Sequence, residues 1–314
     1  MKFNDKDKSI INANNYDFNY KVWKSEKESS DIIIAVHGYN DYSNAFQIPG
    51  TFLSTYNIDT IAFDLRGFGI NEDNGNWFHL KFHLEDLKFT INKIKKNNPN
   101  KNIYLLGESM GGAIVLSLIQ RNKILPIKGV ILVAPAIWNF SNSNYWKSIP
   151  LRIFSKLFPD LKVSGKTIIK VQASNNHNML EELSNDKLFI HKPNLRSLQG
   201  VIDLMDESFV DAQKYFNKPT YNTLILVPLI DEIVPRKPLI EILNNKKLIN
   251  NLNHKIHIGL YKDSYHMILR DINGDEITKD IKDWVYDKNS FKNNTKFQNL
   301  HKMLTETEFY HKLD

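Results

Sequence analysis

From Asp17 to Lys24 the chain alternates apolar with polar side chains, and from Asp31 to Val36 it runs almost unbroken through apolar ones. The first pattern predicts a half-exposed antiparallel strand at a sheet edge, the second a strand covered on both faces. The covered pattern returns at Thr60 to Phe63, Ile103 to Leu106, Lys128 to Val133, Tyr221 to Val227 and Lys255 to Tyr261. Between these runs, apolar residues recur at helical spacing. Helices are predicted over Ser43 to Tyr56 despite Pro49 and Gly50, and over Phe78 to Lys96 with a stop at Asn97 to Asn100. Further helices are predicted over Ala113 to Gln120, near Pro238 to Leu248, and over Asp275 to Tyr286. Strands alternating with helices imply an α/β fold, with a mostly parallel central sheet, flanking helices and right-handed crossovers.

The rhythm breaks between Trp138 and Thr220. That stretch holds Pro150, Pro159 and Pro193, the aromatic residues Phe140, Tyr145, Trp146, Phe154 and Phe158, and amphipathic helical pieces, but no clear buried strand. It reads as a helical cap, residues 138–220, inserted over the carboxyl edge of a core made of residues 1–137 and 221–287. Residues 288–314 form a polar tail, with a terminal helix predicted over Phe297 to Leu304 because Phe297, Leu300 and Leu304 share one stripe.

Composition narrows the picture. A chain of 314 residues can bury one large core. Cysteine is absent, which removes disulfides, thiolate metal sites and a cysteine nucleophile, and fits a reducing compartment. Met1 to Tyr16 is polar without an apolar signal-like stretch, and no run reaches membrane-spanning length, so a cytoplasmic protein is expected. The formal charge of +6 is scattered over many lysines, which gives a weak attraction to anionic surfaces. Basic Lys93 to Lys101 lacks interleaved aromatics and reads as a solvated helix end, so no nucleic acid is expected as a partner. No pattern in the chain specifies an oligomeric state.

The chemistry concentrates at Gly107-Glu108-Ser109-Met110-Gly111, followed by Gly112. A Gly-x-Ser-x-Gly pattern between a predicted strand and a predicted helix is a nucleophile elbow, with glycines where a Cβ would clash. Ser109 would stand at the carboxyl edge of the sheet beside the free N–H groups of a helix N-terminus. Its partners are expected at the ends of later strands, where loops of a parallel sheet converge. Asp231 follows the strand Tyr221 to Val227, and His266 follows the strand Lys255 to Tyr261. In these roles His266 takes the Ser109 proton and Asp231 orients the imidazole. Glu232 and Asp263 compete with Asp231, whose apolar neighbours Leu229, Ile230, Ile233 and Val234 favour it. Backbone N–H groups of Met110 and Tyr39 are placed to stabilise an oxyanion. His37 reads as a structural hydrogen-bonder of the Tyr39 turn, and Asp64 with Arg66 as an ion pair fixing the next loop. His79 and His83 share a helix face, but no carboxylate pattern joins them, so no metal site is expected.

Four stretches, taken in order, resemble the α/β-hydrolases of the monoacylglycerol lipase and lysophospholipase group, also classed with serine aminopeptidase-like sequences. They are His37 to Ser43, Asp64 to Gly69, Gly107 to Gly112, and Asp231 to Pro235. Within the cap, Ala173 to Asn176 and Gly200 to Asp206 are similar to bacterial lysophospholipase-like members, and the likeness spans about residues 17 to 286. The resemblance implies an α/β-hydrolase fold with Ser109, Asp231 and His266 as triad and Tyr39 and Met110 as oxyanion donors. Pro228 and Ser264 depart from it, each standing where a glycine is common. The resemblance implies a serine esterase without metal or cofactor, acting on a monoacylglycerol or lysophospholipid through an acyl-enzyme. An aromatic cap, with Trp138, Tyr145 and Trp146 as expected substrate contacts, suits an acyl chain, and a loose membrane association would fit it. Two alternatives remain: a peptidase gripping a free ammonium through Glu181 and Glu182, and a ligand-binding protein without turnover.

Overall fold

The unbroken apolar runs become strands because both of their faces are covered. A computed structural model describes residues 10–13, 16–163, 171–243, 255–288 and 291. Strands β1 (Ile10–Ala13), β2 (Tyr16–Trp23) and β3 (Asp31–Val36) lead into a 3-10 turn (Ser43–Phe46), helix α1 (Gln47–Thr55) and β4 (Ile58–Phe63). Helix α2 (Leu80–Asn97), β5 (Asn102–Glu108), α3 (Met110–Arg121) and β6 (Gly129–Val133) complete the first half. Among the described residues, four helices follow: α4 (Phe140–Ser143), α5 (Tyr145–Leu157), α6 (His177–Asn185) and α7 (Leu195–Asn217). The alternation resumes with β7 (Asn222–Pro228), α8 (Arg236–Leu243), β8 (Ile256–Tyr261), a 3-10 turn (Ile268–Arg270) and α9 (Gly274–Tyr286).

The strand order across the sheet is β1-β2-β4-β3-β5-β6-β7-β8. All pairings from β4 to β8 are parallel, and those of β2 with β4 and with β1 are antiparallel. β2 is therefore antiparallel as predicted, but it is not the edge, because β1 hydrogen-bonds outside it. Period-two alternation sorts each covered strand between two cores. Ile32, Ile34, Val36, Ile103 and Leu105 face one core with residues of α2, α3, α7 and α8. Ile33, Ala35, Tyr104 and Leu106 face the other, with Leu53 of α1 and Ile277, Ile281 and Trp284 of α9.

The inserted helices start where their sequence permits. Asn176 and Asn194 cap α6 and α7, their side chains accepting the N–H of Met179 and of Ser197. α7 then leaves the insertion before residue 220: Phe209, Ala212, Tyr215 and Phe216 are buried in the first core beside α3. Past α9, Phe291 is buried in the second core. The helix predicted over Phe297 to Leu304 lies outside the described residues, as does the end of the one predicted to reach Leu248.

Candidate active site

β5 runs straight through Gly107 and Glu108 to Ser109, and α3 starts at the next residue. The serine has φ 54° and ψ −117°, a left-handed conformation that costs about 1–3 kcal/mol and persists only where its surroundings impose it. They do so with three backbone bonds: Ser109 N–H donates to Val133 (2.9 Å), and the Ser109 carbonyl accepts from Ala113 (3.1 Å) and Ala136 (2.9 Å). The two glycines are required sterically. A Cβ on Gly111 would lie 2.0 Å from the Val36 carbonyl oxygen, and one on Gly107 would lie 2.4 Å from that of Gly111.

β7 and β8 are parallel neighbours, so their carboxyl ends deliver two loops side by side. Leu229 N–H donates to the Tyr261 carbonyl (2.9 Å) and Ile230 N–H to that of Ser264 (3.0 Å), which zips the loops together. Pro228 continues the ladder opposite Tyr261, and Ser264 gives its carbonyl to the same zip. The result brings His266 between two partners. Its Nδ1–H donates to Asp231 Oδ2 (2.7 Å), and its Nε2 accepts from Ser109 Oγ (2.8 Å). The other Asp231 oxygen accepts the N–H groups of Ile233 (2.8 Å) and Val234 (2.9 Å), which fixes the carboxylate. Glu232 instead accepts the N–H of Gln172 (2.8 Å), and Asp263 lines a cleft behind β8. Burial works to lower the His266 pKa, but the charge and hydrogen bond of Asp231, helped by the charge of Glu108, outweigh it and leave it above its ordinary value.

On the opposite side of Ser109, the turn after β3 approaches so closely that a Cβ on Gly38 would lie 3.3 Å from Ser109 Cβ. Met110 opens α3, where the first N–H groups of a helix have no acceptor within it. His37 holds the Tyr39 turn as expected, donating from Nδ1 to the Gly38 carbonyl (2.8 Å) while its Nε2 accepts the Leu65 N–H (3.0 Å). Burial lowers its pKa and keeps the ring neutral. The Tyr39 side chain fixes the turn as well: its hydroxyl is 2.9 Å from Ser197 Oγ on α7, and its ring meets Phe68 and Trp77 edge-on. Asp64 and Arg66 do not pair. Asp64 accepts the N–H groups of Ser43 (2.8 Å) and Ile70 (3.0 Å), and Arg66 forms a two-pronged ion pair with Asp86 of α2. The Arg66 geometry suits a fork meeting a carboxylate, which adjacent loop residues cannot present.

Of the expected substrate contacts, Trp138 is buried with Ala136, Ile202 and Met205 next to the Ser109 turn. Tyr145 and Trp146 are 57% and 85% exposed on the outward face of α5, because Ser148 and Ser155 occupy its inward face. Glu182 lines a cleft of about 130 Å³ with Asp41, Tyr42 and Arg270, to which neither Ser109 nor His266 contributes. The stretch Ala173 to Asn176 is strapped to the His266 loop. Met267 N–H donates to the Ala173 carbonyl (2.8 Å), Ser174 Oγ to Asp271 (2.6 Å), and Asn176 Nδ2 to the Arg270 carbonyl (3.1 Å). Gly200 on α7 lets Trp77 in, since a Cβ there would sit 2.0 Å from the indole nitrogen. Sequence reasoning passed over Glu108 and Arg270, whose charges are buried beside the site. A signal existed in the acidic residue placed inside an otherwise apolar elbow.

A mostly parallel sheet with this strand order, an elbow serine after β5, and an aspartate and histidine after β7 and β8 define an α/β-hydrolase. The serine aminopeptidase, S33, family matches residues 27–273, and the chain belongs to it. The phospholipase YtpA of Bacillus subtilis (strain 168) is 20% identical over 224 residues, 71% of this chain and 84% of that protein. The monoglyceride lipase of Rattus norvegicus is 23% identical over 184 residues, 58% of this chain and 60% of that protein. A soluble variant of the monoglyceride lipase from Saccharomyces cerevisiae, solved with a substrate analog, shares the fold with a TM-score of 0.73. It is 17% identical and covers 94% of this chain and 97% of its own. Among the described residues no helix is long and apolar enough to cross a membrane.

Proposed function

We propose that the protein is a serine hydrolase that cleaves the carboxylic ester of a monoacylglycerol or lysophospholipid through an acyl-enzyme. The observation that carries the reading is the position of His266, with one ring nitrogen on Ser109 Oγ and the other on Asp231. Ser109 attacks the ester carbonyl as its proton passes to His266 Nε2, and the Met110 and Tyr39 N–H groups steady the oxyanion. The imidazolium, held by Asp231, then protonates the departing alcohol. Water, activated by the same His266, releases the fatty acid. The relatives named a phospholipase and monoglyceride lipases favour a lipid ester. Labelling of Ser109 by a fluorophosphonate probe, followed by a series of monoacyl esters of increasing chain length, tests the reading. Labelling with a preference for long acyl chains is expected; aminoacyl arylamides turned over faster than any ester would make it a peptidase instead.

α5 supports the lipid reading. Its outward face carries Tyr145, Trp146, Ile149, Ile153, Phe154 and Leu157, while small serines face inward. Lys147 and Arg152 flank that stripe and Lys156 stands at its end; Arg152 also pairs with Asp203 of α7 (3.4 Å), and the helix has no acidic residue. An apolar face rimmed by lysines and arginine suits the interface of a membrane with anionic headgroups. The protein is expected to co-sediment with phosphatidylglycerol-containing vesicles more than with neutral ones. Ile153→Glu with Leu157→Glu should reduce that binding about tenfold or more while leaving hydrolysis of a short, soluble ester intact; unchanged vesicle binding would remove α5 from the lipid interface.

A further inference from the structure

Around Ser109, two loops and the end of β5 each contribute one buried charge. Asp41 comes from the turn that carries Tyr39, Glu108 directly precedes Ser109, and Arg270 ends the 3-10 turn after His266. Their exposures are 2%, 3% and 6%. Arg270 Nη1 lies 2.8 Å from Asp41 Oδ2, and its Nη2 donates to Glu108 Oε2 at 3.4 Å. Buried ion groups of this kind are a poor device for stability, since well-packed apolar residues of similar volume do as well or better. Their placement is informative: one guanidinium joins the amide turn, the nucleophile turn and the base loop.

We propose that Arg270 is a positioning residue for the reaction: bound to Asp41 and Glu108, it fixes the amide turn, the nucleophile turn and the base loop relative to one another. The proposal rests on the serine-hydrolase reading above. Burial raises the Glu108 pKa even against the opposing charge of Arg270. Asp271 is itself held by Ser174 Oγ and by the N–H groups of Tyr265 and Asn175, so it does not compete for the guanidinium's place between the two loops. A neutral amide at position 108 keeps the shape and removes one ion partner of Arg270. Glu108→Gln therefore loosens the hold of Arg270 on the nucleophile turn.

The test compares kcat and KM for a short, soluble ester, with fluorophosphonate labelling of each variant. Arg270→Met is expected to lower kcat by about 100-fold with KM nearly unchanged, as a displacement of the reacting groups would. Arg270→Lys, one charge without the fork, should recover only part of that loss. Glu108→Gln is expected to lower kcat about tenfold, again with KM nearly unchanged. An unchanged kcat in Glu108→Gln overturns the proposal, and this variant decides alone if Arg270→Met fails to fold. Wild-type protein that does not label at Ser109 overturns the serine-hydrolase reading and the clamp with it. Wild-type protein that labels, beside an unchanged kcat in Glu108→Gln, overturns the clamp alone.

Discussion

Ser109→Ala is expected to lower kcat for an ester substrate by about five to six orders of magnitude, leaving only what oxyanion stabilisation and binding supply. The substitution deletes the attacking oxygen and nothing else of consequence to the fold. The Ser109 side chain bonds to His266, whereas the left-handed backbone is held by bonds of its main-chain groups to Val133, Ala113 and Ala136. Alanine keeps those. Its melting temperature should therefore stay within a few degrees of the wild type. Esterase activity surviving in the purified variant at more than about one part in a thousand would remove Ser109 from the mechanism.

Asp231→Asn should cost on the order of 10⁴ in kcat, because an amide in place of the carboxylate stabilises the wrong imidazole tautomer. Glu232→Gln should cost little, since that side chain holds the Gln172 N–H rather than His266. A larger loss from Glu232→Gln would exchange the two assignments. The pH dependence follows from signs. Burial alone depresses the His266 pKa, and the charge of Asp231 and of Glu108 lifts it above the ordinary value. The base works only when neutral, so the acid limb of wild-type kcat/KM should lie above about pH 6.5, the free imidazole value. In Asp231→Asn, the residual activity should show that limb at lower pH. Stability carries the same signature: a histidine raised in the folded state stabilises most below its unfolded pKa, and that contribution fades as pH rises through the folded one.

The fold was legible because β3, β5, β6 and β7 are covered on both faces, so their residues are apolar at nearly every position. β1 escaped notice since four residues in a polar leader give no period to read. The site was legible where chemistry and place coincide: an elbow for Ser109, and strand ends for Asp231 and His266. Choosing Asp231 over Glu232 rested on apolar neighbours, and the structure places its carboxylate 2.7 Å from His266. Proximity in sequence misled for Asp64 and Arg66, because the matching carboxylate, Asp86, is brought in by α2 from twenty positions away. Helical spacing revealed that α5 is amphipathic but could not say which face looks outward. Tyr145 and Trp146, expected at the substrate because an aromatic cap suits an acyl chain, stand on the exposed face of α5 instead. Arg270 was invisible because an arginine four places after a histidine looks like any surface cation until burial is known.

The strap between Ala173 to Asn176 and the His266 loop makes the inserted segment a mechanical partner of the base. Gln172, Ala173, Ser174 and Asn176 hold Glu232, Met267, Asp271 and Arg270 in turn, so lifting this flank would pull on the loops that aim the imidazole. The far end of α7 is no freer, being buried against α3.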